Sequence, residues 1–300
     1  MKVFLAGGDG ALPYTKIRMA VGCQNLLFSY HYMKASNQQY YDSFFSILKR
    51  ETEVICDSGL FTLMFGAGKG GTYDMEFMRK YAKDYIAFAK LFPHKNLSIV
   101  EADVHKILGM PAVYELRKQF EDSGMRVMYV WHREEGIDGL LRMAEKYPYI
   151  AISVPELRLI CKGKLKYQHA VWDLLKKIQR SVKQIPKIHL LGNTVQDTME
   201  TNLAYSCDST SWLAGARFGR YTKWDGRKLL STSIRGPEYE AAKQILGKSF
   251  HDHYEKFIES GDTQTAIGYK TAAYLSAFSY VQYQNWLDRN YKFAGNPLWT

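Results

Sequence analysis

A chain of 300 residues with 46% hydrophobic residues has material for one large core, and barrel domains of about 250 residues are routine. Its net charge of +10 points to a polyanionic partner: nucleic acid, an anionic surface or a phosphorylated ligand. Four scattered cysteines (Cys23, Cys56, Cys161 and Cys207) with no C-x-x-C pair argue against a zinc ribbon or a secreted disulfide scaffold, and no apolar run approaches the ~20 residues of a membrane span.

Short apolar runs recur in chain order, at 3–6, 25–29, 53–57, 97–103, 126–132, 149–153, 187–192 and 204–208. The scattered cysteines suit a reducing cytoplasm, and the first run is too short for a signal peptide, so a cytoplasmic setting is expected. Amphipathic stretches at 75–91, 112–123, 137–146 and 170–183 lie between the later runs. Strands alternating with helices predict βαβ units and a parallel sheet, and eight such runs predict a closed (β/α)₈ TIM barrel, an α/β fold. Residues 214–236 are rich in Gly, Arg and Lys, and are expected to form a long basic loop. Helical patterns return at 237–246, 251–260 and 263–290. The expected organisation is therefore a barrel over 1–236, then a closing helix and a C-terminal helical extension over 237–300.

Asp57, Asp103, His132, Ser153, Asn193 and Asp208 each stand at or just past the C-terminal end of a predicted strand. In a barrel those ends meet on one face, where active sites lie. Cys56-Asp57-Ser58-Gly59-Leu60-Phe61 puts a carboxyl before a Ser-Gly turn, with Phe61 as a possible stacking face. Read alone, Asp57 or Ser58 is more often a helix cap. Asp208 ends a strand in a Ser/Thr-rich turn, where a carboxylate can serve as nucleophile or base, and the cap is again the alternative. In Ile188-His189-Leu190-Leu191-Gly192-Asn193, Gly192 leaves room for a planar ligand over Leu191. Asp103 and His132 supply an acid and an imidazole from the middle strands. The glycines at 66–71 fit neither the P-loop nor the dinucleotide fingerprint, and read as a flexible loop, a possible lid.

Asp57-Ser58-Gly59-x-Phe61, His189-Leu190-Leu191-Gly192 and Cys207-Asp208 occur in an order that resembles the queuine/archaeosine tRNA-guanine transglycosylase superfamily. Within it, the DNA 7-deazaguanine transglycosylases of phages and bacteria (DpdA type) look closest. The resemblance spans residues 50–220, with departures at Leu60 and Thr62. It implies Asp208 as nucleophile and Asp57 as catalytic partner, with Ser58, Phe61, Asp103, His132, Ser153, Leu191 and Gly192 around the base. The tRNA enzymes' zinc cluster is absent here, and Ser209-Thr210-Ser211-Trp212 replaces the Pro-Thr-Arg that follows their nucleophile. Both departures favour DNA over tRNA, with no zinc subdomain and no metal.

The implied chemistry is guanine exchange through a covalent aspartyl-nucleotide intermediate. A 7-deazaguanine such as 7-cyano-7-deazaguanine is the co-substrate, and no other cofactor enters. Arg217, Arg220, Lys223 and Arg227 are expected to bind phosphates, contacts that give affinity without sequence choice. A cytoplasmic enzyme is implied, in the host's cytoplasm if phage-encoded, with no membrane partner; oligomeric state and the inserted base stay open. The alternatives are a tRNA enzyme, a non-catalytic nucleic-acid-binding barrel, and a barrel hydrolase of small sugars or nucleosides.

Overall fold

The apolar runs become parallel strands: β1 (Lys2–Ala6), β2 (Asn25–Ser29), β3 (Glu53–Asp57), β4 (Leu97–Val100), β5 (Val127–Trp131), β6 (Tyr149–Ser153), β7 (Lys187–Leu191) and β8 (Ser206–Ser209). Each pairs with its neighbours in sequence order, and β8 returns to β1 through Phe4 opposite Asp208, so the sheet is a closed (β/α)₈ barrel. This computed structural model describes residues 1–9, 12–49, 52–65, 73–92, 95–161, 163–193, 195–237, 241 and 264–295.

Strands buried on both faces need apolar residues at nearly every position, which is why they appear in the sequence as continuous runs. Alternate residues serve two cores. Leu26, Phe28, Val54, Cys56 and Ile99 join the layer beneath the helices. Phe4, Leu27, Ile55, Met128 and Ala151 belong to a separate cluster that fills the barrel. At the strands' N-terminal end the filling turns polar. Lys2 bonds Glu53, Tyr205 donates to Glu53 at 3.2 Å, and the Lys187 ammonium lies 4.5 Å from the Tyr205 ring centre.

The helices among the described residues are α1 (Leu12–Ala20), α2 (Tyr30–Met33), α3 (Gln38–Ile47), α4 (Leu60–Phe65), α5 (Met75–Lys90), α6 (His105–Glu121), α7 (Gly136–Lys146), α8 (Val154–Ile160), α9 (Lys164–Ser181), α10 (Gln196–Met199), α11 (Ser211–Arg217) and α12 (Gln264–Asn290). The sequence pattern places a helix at 112–123, yet α6 starts earlier. One turn from His105 is broken at Gly109 (φ 75°, ψ 179°), and Pro111 then opens the main helix. Proline suits that place because the first turn has no use for its missing N–H.

The basic stretch after β8 is not one long loop. It holds α11 and an antiparallel hairpin, β9 (Arg220–Trp224) and β10 (Leu229–Ser233). Asp225 shapes the turn, its carboxylate accepting the N–H groups of Arg227 (2.8 Å) and Lys228 (2.6 Å). An Asp-Gly pair between two β-prone runs is a hairpin signal that the reading by charge overlooked. Helix α12 packs on α11, β9, α1 and β1. Its Gln284 donates to Met1 O at 2.8 Å and accepts the Val3 N–H. The C-terminal segment thus supplies the helix that covers the seam between β8 and β1. The patterns at 237–246 and 251–260 lie, but for residues 237 and 241, outside the described residues.

A buried ion network frames the C-terminal ends of β4 and β5. Arg117 donates to both oxygens of Glu101 at 2.9 Å, to Glu135 at 2.9 Å and to Val130 O at 3.0 Å. Glu101 also accepts the Val130 N–H at 2.7 Å, and Glu135 accepts that of His132 at 3.0 Å. Arg117→Ala is expected to cost about 3–5 kcal/mol, because it strands a buried carboxylate rather than removing a surface pair. Denaturant melts of this variant and of Arg117→Met measure it; a loss under about 1 kcal/mol would mean the network is dispensable.

Candidate active site

The strand ends bring together what the chain scatters. Asp57 ends β3 and Asp208 lies in β8, separated around the barrel by β1 and β2. Asp103 and His132 follow β4 and β5, Ser153 ends β6, and Gly192 follows β7. All lie on the C-terminal face, the face on which barrels carry their sites. A cavity of 620 Å³ lined by Tyr147, Pro148, Val182 and Pro186 sits among the loops at the opposite end, and holds none of these groups.

One oxygen of Asp208 receives two donors. The Gly192 N–H reaches it at 2.8 Å and His189 Nε2 at 3.1 Å. His189 is wholly buried, its Nδ1 is 2.7 Å from Ser206 Oγ, and that hydroxyl is 2.6 Å from Tyr149 OH. Only one proton arrangement of a neutral imidazole satisfies the chain: Tyr149 donates to Ser206, Ser206 to Nδ1, and Nε2–H to Asp208. The carboxylate is thereby oriented from beneath. In the sequence His189 belongs to an apolar run and to the His189-Leu190-Leu191-Gly192 motif, with no role of its own. Its signal was an imidazole at an inward position, two residues before the strand's end.

Asp57 accepts the Gly59 N–H at 2.9 Å, and Ser58 Oγ faces the Leu60 N–H at 3.4 Å. The capping alternative is therefore partly realised, as a local turn ahead of α4. Yet the carboxyl is far from an ordinary cap. Burial pushes its pKa from 3.8 to about 7, and the charges of Asp208, Asp103 and Asp9 add to the push against the Gly59 bond. The site thus holds one carboxyl that keeps its proton near neutrality, and another gripped by two N–H donors. Two carboxyls in unlike surroundings can divide acid and nucleophile roles.

Gly59 is essential to this turn. Its φ is +72°, and a Cβ there would lie 2.2 Å from Ser29 Oγ and 2.4 Å from His31 Cβ. Gly59→Ala is expected to destabilise the fold by at least about 2 kcal/mol, roughly 3 °C in Tm for a chain of this size, and to displace Asp57. Calorimetry tests this, and an unchanged Tm would show that the turn tolerates a side chain.

Asp103 meets a second imidazole that the sequence reading missed. His105 Nδ1 bonds Asp103, and its Nε2 lies 2.8 Å from Glu156, which also pairs with Lys106. Burial opposes charge on His105, but its bonds to the two carboxylates win and raise its pKa to about 9. The bond from His105 holds Glu156 down near 2. His132 packs against His105, ring centres 4.2 Å apart and planes tilted by 35°, and burial lowers its pKa. Asp9, also unforeseen, is buried just past β1, where it accepts the Ser29 N–H at 2.9 Å with Arg18 3.9 Å away. Burial raises Asp9 to about 6 despite that guanidinium.

The remaining expected residues divide. Ser58 is buried beside Asp57, and Leu191 is half-buried against the barrel filling. Ser153 spends its hydroxyl capping α8, accepting the Glu156 N–H at 3.4 Å. The side chains of Phe61 and Arg217 and the glycine-rich loop at 66–71 lie outside the described residues. Arg220 braces the hairpin through Ser231 Oγ at 2.7 Å, while Lys223 stands on β9 and Arg227 is exposed in the turn.

Fold and site together define a (β/α)₈ barrel with carboxyl groups gathered at its C-terminal mouth. No protein-family model matches the chain, and no curated protein matches it. Among the described residues, no helix is long and apolar enough to cross a membrane.

Proposed function

We propose that the chain is a transglycosylase that exchanges guanine in DNA for a 7-deazaguanine base. One observation carries the reading: Asp208, held by two N–H donors, shares the barrel mouth with Asp57, whose carboxyl keeps its proton to about 7. The net charge of +10 supports a polyanionic substrate.

The steps follow retaining glycoside chemistry. The target nucleotide leaves the stack, at a cost of a few kcal/mol offset by contacts in the pocket. Asp208 attacks C1′ as the bond to guanine breaks, and Asp57 delivers its proton to the departing base. The sugar is then joined to Asp208 as an ester. The incoming base attacks C1′ from the face guanine left, loses its ring proton to Asp57 and frees Asp208. Two attacks on opposite faces retain the configuration. In this reading Asp103 and His132 bind the edge of the base, and Leu191 packs on its face.

Incubating labelled guanine with duplex DNA and with tRNA tests substrate and reaction together. Label entering DNA alone is the expected result. Label entering tRNA alone would move the protein to the RNA branch, and label in neither would overturn the proposal.

A further inference from the structure

We propose that Asp103, His105 and His132 form a binding site for a divalent transition-metal cation, with Glu156 as the outer partner of His105. A ligand atom from each of the first three lies within 4.8 Å of the others. Asp103 and His132 follow two adjacent strands, and His105 opens the first turn of α6.

Two observations beyond proximity point to a cation. His132 is fully buried, and neither ring nitrogen has a hydrogen-bond partner. An orphaned buried imidazole is costly unless something occupies it. Its Nδ1 faces Asp103 at 3.7 Å, too far for a hydrogen bond. Two ligands on bonds of about 2.0–2.2 Å stand roughly 3–3.7 Å apart around one ion. Moreover, His105 donates through Nε2 to Glu156 at 2.8 Å and turns Nδ1 toward Asp103. A histidine that ligates with one nitrogen usually gives the other N–H to a carboxylate. The His105 and Asp103 atoms lie closer together than two ligands of one ion, so an ion would part them.

The donor set narrows the ion. Two imidazoles and one carboxylate suit zinc, iron, cobalt or nickel in the divalent state, whereas magnesium and calcium favour all-oxygen sites. Three protein ligands leave a position open, as in sites that act on a ligand rather than brace a fold. Asp103 is 40% exposed, so the site is accessible from the barrel mouth. Under the base-exchange reading, a carbonyl oxygen or ring nitrogen of the bound base would fill the open position, and the cation would read the base edge. The site itself does not depend on that reading.

Untagged full-length protein, stripped with chelator and titrated with Co²⁺, tests the proposal through visible absorption, with metal content measured on protein purified without chelator. One equivalent of Co²⁺ per chain, displaced by Zn²⁺, is expected. His132→Ala and Asp103→Asn should lose the signal, and Glu156→Gln should bind about 10–100-fold more weakly. His169→Ala, on the exposed side of α9, should bind as the wild type. Asp103→Asn guards against misfolding, since its partly exposed side chain keeps its shape. No Co²⁺ uptake by the wild type, or full uptake by both ligand variants, would overturn the proposal. The readout needs no nucleic acid, so it stands or falls separately from base exchange.

Discussion

Asp208→Ala forms no covalent complex with guanine-containing DNA, and its base exchange falls by at least about 10³-fold: that is the expected result when a nucleophile is removed. Asp208→Asn is the sharper variant. Its amide oxygen can still accept from Gly192 and His189, so the frame is kept while the nucleophile is lost. Both should fail alike in chemistry, with Asp208→Asn melting closer to the wild type. Trapping by rapid denaturation, followed by gel shift and mass spectrometry of the modified peptide, makes the measurement. An adduct that persists in both variants would remove Asp208 from the mechanism. An adduct on tRNA and not DNA would keep the chemistry and change the substrate.

The second large effect concerns Asp57 and depends on pH. Delivering a proton to guanine needs Asp57 protonated, so single-turnover adduct formation should fall about tenfold per pH unit above about 7, where burial and neighbouring carboxylates place its pKa. Resolving the adduct with the incoming base needs the carboxylate, so that step should slow below the same pH. Asp57→Asn should lower adduct formation by about 10²–10⁴-fold and abolish its pH dependence. Stability carries an independent signature. The folded carboxyl holds its proton up to about 7, whereas an unfolded one releases it near 3.8. The folded state therefore binds the extra proton in that window, and this group's contribution to stability falls as pH rises through it. Asp57→Asn should remove that decline. A wild-type rate without a break near neutrality, or an undiminished rate in the variant, would exclude the acid role.

The barrel was legible because its strands are buried on both faces. The runs at 25–29, 53–57 and 149–153 coincide with β2, β3 and β6, since continuous apolar burial leaves a continuous mark. Asp57 and Asp208 were legible because a carboxyl at a strand's end breaks that mark. Other groups at the barrel mouth were not. His189 lies within an apolar run, Glu156 lies past a proline in what reads as a helix start, and His105 opens a short turn ahead of the Gly109 break. Their roles arise from contacts across strands, such as His105 with Glu156 51 residues away, which no local pattern records. The hairpin was missed for another reason: charge drew attention to Arg217 through Arg235, while β9 and β10 are specified by the Asp225-Gly226 turn and by packing against α12.

The clasp between Gln284 and the first strand also constrains how the molecule is made. β1 pairs with β2 as soon as both are synthesised, but its pairing with β8 joins residues about two hundred positions apart, and the covering helix comes later still. Contacts of such sequence separation form slowly. A nascent chain on the ribosome therefore carries a sheet with open edges until β8 emerges and pairs with β1, and an uncovered seam until α12 docks; open edges invite pairing with other chains. Slow translation upstream of α12 should thus favour aggregation, and a chaperone that shields strand edges should act before the last helix docks.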